Sequence, residues 1–431
     1  MRICFISRRY FPAVSGMSVY ARNLTHALAD RGHEVVMISQ YREDPTGVEI
    51  YGGGPPPNEP WMEVHGLRSV GEELGAENPP ADFERDLREM ADLAVKLHAE
   101  KPFDVVHAQY AYPTGLAALE VSRRLGIPNV VSIQGGDGHW VGGCCTTHQR
   151  AMDAVLNHAM GLAIGCDSFR AEVVENHGTD PNRFTIVPGA TNVDQFTPQQ
   201  EKHSDLAAAV AEIGQLGEPV RLLYHGRVDK RKGSLDFIYC GARLLKEGRN
   251  VEMIVSGIGP DFVETRELAE ELGVIDKTHF PGEAAYDEAH LRYHDGDIFL
   301  SPTYAEGFSN TILEAMASGL PIVSTKTVGV VDCLRDGENG LLVEPGDLDA
   351  LTAATRRLLD DETLRTKLAR AAYQEVQEKY SWPVVGEQIE GLYERLQGQK
   401  VDTSWTKIIQ ANEVVEDADL SCRFRTQPHL L

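Results

Sequence analysis

The chain has 431 residues, 42% hydrophobic and 25% charged, the composition of a globular protein too long for one ordinary core, so about two domains are expected. Forty-one Lys and Arg against 65 Asp and Glu leave a net charge of −24, which argues against a nucleic-acid binder and against broad adhesion to anionic lipid. The acidity reads as solubility, and any anionic ligand must then be met by a local positive site.

The seven cysteines (Cys4, Cys144, Cys145, Cys166, Cys240, Cys333 and Cys422) are odd in number and form no CxxC pair, so free thiols in a reducing compartment are expected. "MRICFIS" is too short for a signal peptide, and no stretch approaches the roughly 20 apolar residues of a membrane span. A cytoplasmic location is expected.

In chain order, "RICFIS" is expected as a strand, "GMSVYARNLTHALADRG" as a helix and "HEVVMIS" as the next strand. Val19, Leu24, Ala27 and Leu28 share one face of that helix, and Gly32 ends it. "YGGGPPPNEP", residues 51–60, is a Gly/Pro surface loop. "DVVHAQ", "TGLAALEVSRRLG" and "PNVVSIQ" continue as strand, helix and strand. The rhythm restarts near residue 220 with strands "VRLLYHG", "VEMIVSG", "KTHFPG", "DIFLSP" and "PIVST", separated by helices such as "SLDFIYCGARLLKEG", "DFVETRELAEELG" and "NTILEAMASG". Repeated β-α-β order predicts an α/β fold with two doubly wound parallel sheets, one after the other. The expected divisions are residues 1–195, 196–380, a helix over 381–398 that returns to the first domain, and a tail over 399–431 with no assigned role.

Ligands of open α/β sheets bind beyond the carboxyl ends of the strands. After "VRLLYHG" comes "RVDKRKGS", in which Gly226 and Gly233 bracket a short loop carrying Arg227 and Lys232 and opening a helix. Two cations at a helix N-terminus suit a diphosphate, although a solvated basic turn has the same composition. Gly257 and Gly259 in "SGIGP" either cap a strand or let backbone approach a flat ligand, and neither belongs to a strict GxGxxG. After "DIFLSP", Glu306 hangs over the mouth of a helix begun by Ser309 or Asn310, and Glu314 stands on its first turns. The N–H groups of Gly307, Phe308, Ser309, Asn310 and Thr311 can receive an anion, and each carboxylate can accept hydroxyls on one side of it. A diphosphate between two polyols, a nucleotide sugar, would satisfy all three. A capping acid and a surface helical Glu would look the same in sequence.

"EGFSNTILEAMASGLPIVST" resembles the E-x7-E signature of retaining glycosyltransferases of family 4, which have the GT-B fold of two Rossmann-like domains facing a central cleft. "GRVDKRKG", "SGIGP", "FPG", "LLVEPGD" and "YSWPVV" match further family features in order, as do "YFPAVSGMSVYARNLTHALADRGHEV", "DVVHAQ" and "GIPNVVSIQGGD" in the first half. The resemblance covers about residues 1–398. It implies that Arg227 and Lys232 hold the diphosphate, Glu314 the ribose hydroxyls and Glu306 the donor sugar. It also implies backbone N–H contacts from Gly307, Phe308 and Ser309, and an approach of Gly16 to the phosphates. The sequence departs from the family at Ser15-Gly16, where Gly-Gly is usual, at Gln109 and Gln134, where His is usual, and at "VPGATNVDQF", two residues longer than its counterpart.

The implied chemistry is transfer of a sugar, with retention, to a hydroxyl of a soluble small-molecule or glycan acceptor. No cofactor and no metal are expected, since Arg227, Lys232 and the helix mouth face the leaving diphosphate and no DxD motif that would hold a metal is seen. The acceptor is expected on the first half, at "QGGDGHWVGGCCTTHQ", through Gln134, Asp137 and Trp140. A metal reading of His139, Cys144, Cys145 and His148 is the lesser alternative, because adjacent cysteines chelate one zinc poorly. The basic clusters of this half are Arg8–Arg9 and Arg123–Arg124, so membrane association is possible but not favoured. A sugar-nucleotide epimerase and a non-catalytic nucleotide-sugar binder are the rival readings. A nicotinamide oxidoreductase is poorly supported, because "MRICFISRRYFP" lacks phosphate glycines.

Overall fold

The computed structural model describes residues 1–41, 54–69, 83–139, 141–142, 146–198, 206, 210, 213–214, 217–304 and 306–409. Trp140, Cys144, Cys145, Cys422, residues 51–53 of the Gly/Pro loop and the tail beyond 409 lie outside the described residues. The chain forms two compact units, 1–188 with 382–431, and 189–381.

The first unit contains β1 (Arg2–Ser7), α1 (Gly16–Asp30), β2 (Glu34–Tyr41), β3 (Met62–Arg68), α2 (Phe83–Glu100), β4 (Val105–Gln109), α3 (Leu116–Leu125), β5 (Asn129–Ile133), α4 (Gly136–His139), α5 (Thr146–His158), β6 (Gly161–Ile164), α6 (Asp167–His177) and β7 (Phe184–Ile186). The strands lie in the order β3-β2-β1-β4-β5-β6-β7, all parallel. Ile3, Cys4, Phe5 and Ile6 are all buried, so β1 shows no polar alternation; a central parallel strand is covered on both faces. Ser15 caps α1 in a reciprocal bond with Ser18, which explains how this helix starts beside a single glycine. β3, α2, α5 and α6 fall where no element is read from the sequence.

The second unit contains β8 (Val220–His225), α7 (Ser234–Lys246), β9 (Val251–Ser256), α8 (Phe262–Glu271), β10 (Thr278–Gly282), α9 (Ala289–His294), β11 (Ile298–Ser301), α10 (Asn310–Ala317), β12 (Ile322–Thr325), β13 (Leu341–Val343), α11 (Leu348–Asp360) and α12 (Glu362–Lys379). Its parallel sheet runs β10-β9-β8-β11-β12-β13. Side chains alternate along β8: Leu222 and Tyr224 join one core with Phe237, Met253 and Leu300, while Leu223 joins the other with Ile254, Phe299, Ile312 and Tyr293. Helices on both faces thus exclude water from the sheet, and the strand ends are where a polar ligand can meet backbone.

The chain then returns to the first unit as α13 (Trp382–Leu396) and α14 (Thr406–Ile409). α13 packs on α1 closely enough that a Cβ on Gly386 would stand 3.2 Å from that of Ala27. Tyr393 of α13 bonds the buried His107 of β4 at 2.6 Å. Residues 399–409, which carry no sequence-based assignment, dock here as well: Trp405 is buried, and Asp402 meets His158 of α5 at 2.7 Å. Among the described residues, no helix is long and apolar enough to cross a membrane.

Candidate active site

In the second sheet the chain order reverses at β8, which lies between β9 and β11. The segments leaving β8 and β11 therefore diverge at their carboxyl ends and open a crevice. Arg227 and Lys232 leave β8, and Glu306 leaves β11. The two segments are joined by the Tyr304 N–H bond to the Arg231 carbonyl (2.9 Å) and by the ion pair of Lys232 Nζ with Glu306 Oε2 (2.9 Å). Glu306 also receives the Thr303 hydroxyl at 3.4 Å.

Glycines make this approach possible. Gly233 has φ +77, and a Cβ there would stand 2.1 Å from the Pro302 carbonyl oxygen. Gly257 and Gly259 serve the neighbouring crossing: a Cβ on the first would meet the Gly226 oxygen at 1.8 Å, and one on the second the Val228 oxygen at 2.2 Å. Without side chains there, Gly226 and Val228 donate to Ser256 and Ile258 at 2.9 and 3.0 Å, and the loop after β8 is laced to the loop after β9. Of the two readings of these glycines, the close approach seen is to backbone. Gly226, with φ +130, lies against the first turn of α10, where its Cβ would stand 3.5 Å from Thr311 Cγ2.

Each cation of the loop is paired. Lys230 faces Glu264 (3.3 Å), Arg231 binds Asp229 (2.7 Å), Arg227 stands 3.7 Å from the same carboxylate, and Lys232 holds Glu306. Asp229 is only 3% exposed, and Arg231 holds its carboxyl below the usual range. It also accepts the Arg231 N–H at 2.9 Å, which shapes the turn. Its presence in "RVDKRKG" was the signal that the loop is charge-balanced.

Ser309 occupies the N-cap of α10 but makes no side-chain capping bond to its backbone; its hydroxyl bonds that of Thr311 at 3.3 Å. Asn310 begins the helix. Phe308 packs on Tyr380 with ring centroids 5.7 Å apart, and Gly307 is backed by Gly329, whose Cβ would meet its carbonyl at 2.9 Å. Glu314 is no surface glutamate. Its Oε2 accepts the Tyr293 hydroxyl at 2.6 Å, and burial pushes its carboxyl up to about 7 against the lowering effect of that bond. Tyr293 and His225, whose rings pack 5.0 Å apart, are the neighbours sequence reasoning missed. Nothing in the spacing of "HLRYHDGD" points to a residue 21 positions further on.

In the first unit the order reverses at β1, between β2 and β4. Gln109 and Gln134, the two departures from His, bond each other at 2.7 Å. Gln109 also donates to the Met17 carbonyl (2.8 Å) and accepts from Ser7 (2.7 Å), so it ties the ends of β1 and β4 to the start of α1. Gly16 is the first residue of that helix. Asp137, expected from the sequence as an acceptor contact, has a structural task in the loop. Asp137 is fully buried and accepts N–H groups from Ala111 (2.8 Å), Gln134 (3.1 Å) and Gly135 (2.8 Å), so it orders the loop. Burial lifts its carboxyl to about 6 against those bonds. His139 pairs with Glu172 at 2.7 Å and His148 packs on Tyr112; among the described residues, no group of ligands is gathered for a metal. Arg123 and Arg124 both bind Glu120 at 2.6 Å, so that cluster is not an open basic patch.

A cavity of about 660 Å³ lies elsewhere in the second unit, lined by Arg221, Glu252, Thr278, His279 and Asp295 among others. These residues stand near the amino ends of β8–β10, the edge opposite the loops above, and ligands of open α/β sheets bind at the carboxyl ends.

Residues 209–375 match the family model of glycosyl transferases group 1, and residues 15–190 that of a glycosyl transferase 4-like domain. One match falls largely on each unit, and the chain belongs to the glycosyltransferases of the GT-B fold, enzymes that use sugar-nucleotide donors. It is 27% identical over 411 residues to a glycogen synthase of Mycobacterium tuberculosis, covering 89% of this chain and 92% of that one. A D-inositol 3-phosphate glycosyltransferase of Arthrobacter sp. is 25% identical over 409 residues, 86% of this chain and 90% of that one. Among solved structures, sucrose-phosphate synthase from Thermosynechococcus elongatus superimposes with a TM-score of 0.72 at 23% identity, over 92% of this chain and 98% of that one. Anabaena HepE in complex with UDP and glucose does so with a TM-score of 0.68 at 18% identity, over 92% and 100%. At these identities the structures speak for the fold.

Proposed function

We propose that this enzyme transfers a hexosyl group, with retention, from a UDP-sugar to a hydroxyl of a soluble small-molecule or glycan acceptor. The observation that carries the reading is the Lys232–Glu306 pair at 2.9 Å, on the carboxyl edge of the second sheet and beside the loop that leads into α10. A diphosphate arriving there replaces Glu306 as the partner of Lys232. The carboxylate so released accepts hydroxyls of the attached sugar, and Glu314 accepts those of the ribose. Support for uridine comes from the solved relative described in complex with UDP and glucose.

As the bond between C1 and the phosphate oxygen breaks, its electron pair moves onto the β-phosphate, where Arg227, Lys232 and the N–H groups of residues 307–311 oppose the growing charge. The acceptor oxygen attacks C1 from the face the phosphate leaves, and its proton passes to the departing phosphate oxygen. No side-chain base and no metal enter this route, so EDTA is expected to leave turnover unchanged.

Incubation with UDP-, ADP- and GDP-sugars and a panel of sugar, sugar-phosphate and cyclitol acceptors tests the proposal. The expected result is nucleoside diphosphate release that depends on acceptor, with the anomeric configuration of the donor kept in the product by NMR. Conversion of donor alone into an epimer would instead favour the epimerase, and donor binding without turnover by any acceptor the non-catalytic binder.

A further inference from the structure

Tyr293 lies outside the motifs that identify the site, yet it is the side chain in contact with Glu314. Its hydroxyl stands 2.6 Å from Glu314 Oε2 and 3.3 Å from the Thr311 carbonyl, one turn earlier on α10. Its ring is 1% exposed and held among Phe196, Phe299 and His225, at centroid distances of 5.5, 5.8 and 5.0 Å. The phenol is therefore fixed by packing, and it fixes one oxygen of the carboxylate. Glu314 Oε1 accepts no hydrogen bond from a described residue.

We propose that Tyr293 is the positioning residue for the donor's ribose: it holds Glu314 by one oxygen so that the other is presented to a ribose hydroxyl. This rests on the ribose role given to Glu314 above. A glutamate has three side-chain torsions, and a carboxylate in a shielded site without its donor either swings away or takes up a proton. The phenol opposes both. The titratable groups facing this carboxylate are Tyr293 on α9 and, behind it, His225 at the end of β8. Burial and then Arg292 bring His225 down to about 4, so it is neutral at pH 7 and brings no charge. Burial raises the Glu314 carboxyl and the Tyr293 bond lowers it, so removing the phenol raises it further.

The test compares wild type, Tyr293→Phe, Glu314→Gln and the double variant, using the nucleoside diphosphate among UDP, ADP and GDP that wild type binds, with its 2′-deoxy and 3′-deoxy analogues. Wild type is expected to prefer the full ribose by about tenfold or more, the value of a hydrogen bond to a charged group. Tyr293→Phe should lose most of that preference at pH 7, raise the donor KM by a similar factor with kcat little changed, and recover part of the preference at pH 9. In the Glu314→Gln background the same substitution should change nothing further. That background also serves if the Phe variant alone folds poorly, because it relieves the buried charge. A Phe variant that keeps the wild-type preference, or a further loss in the Gln background, overturns the role of Tyr293. A wild type indifferent to both deoxy analogues overturns the ribose reading of Glu314 itself, and Tyr293 with it.

Discussion

Glu314 carries a tension that a surface glutamate does not. Its carboxyl is raised to about 7 by burial, against an ordinary 4.5, so the folded protein holds a proton there that the unfolded chain has released. Between those two values the folded state binds more protons, and stability falls as pH rises; the penalty is fully present above pH 7. Glu314→Gln should therefore raise the unfolding temperature by an amount that grows from pH 5 to pH 8, while nucleotide affinity drops; a pH-independent gain in thermal scans would sink the argument. Lys232 is the opposite case, a cation whose partner and ligand share one position. Lys232→Ala should lower kcat by on the order of 10²–10³, as for loss of one stabiliser of a developing anion, and single-turnover kinetics at saturating donor would read it directly. Near-normal turnover in that variant removes Lys232 from the mechanism.

At the scale of elements, the strands and helices that build the edge were legible because each is a simple run: β8, β9 and β11 as apolar stretches, α10 as an apolar helix ended by Gly319 and Pro321. That Arg227, Lys232 and Glu306 gather at one sheet edge was legible because they follow strands that end there. Tyr293 and His225 were not, since the Tyr293 bond to Glu314 and its ring contact with His225 join segments distant in sequence, whereas Asp229 stands two residues from its partner Arg231. The burial of Asp137 was not legible either: a polar residue in a glycine-rich loop looks exposed until its three amide donors are seen. The loops after β8 and β9 depend on atoms that are missing at glycine. Gly257→Ala, with the Gly226 oxygen 1.8 Å from the added carbon, should unlace the two loops. Donor KM should rise about tenfold or more, with a loss of a few degrees in unfolding temperature; calorimetric titration with the nucleotide checks it. Unaltered affinity would mean that the lacing does not shape the site.

At the scale of the molecule, the chain leaves the first unit, builds the second and returns, so the ends of the described chain belong to one body. Trp405 makes that return count: it is 1% exposed, on a segment anchored to α5 through Asp402 and His158. Trp405→Ala should destabilise the first unit by roughly 3–5 kcal/mol. Nucleotide binding by the second unit should survive at temperatures below that transition. Two separated unfolding steps, with only the lower one shifted, are the expected calorimetric trace, and an equal shift in both would show that the units melt together.

On the proposed reading, the resting pair of Lys232 with Glu306 also bears on what leaves the enzyme. A free nucleoside diphosphate carries about one more negative charge than the sugar nucleotide, so the lysine attracts the by-product more strongly than the donor. Release is then opposed by the same cation that favours departure of the sugar, and return of Glu306 to Lys232 offsets part of that cost.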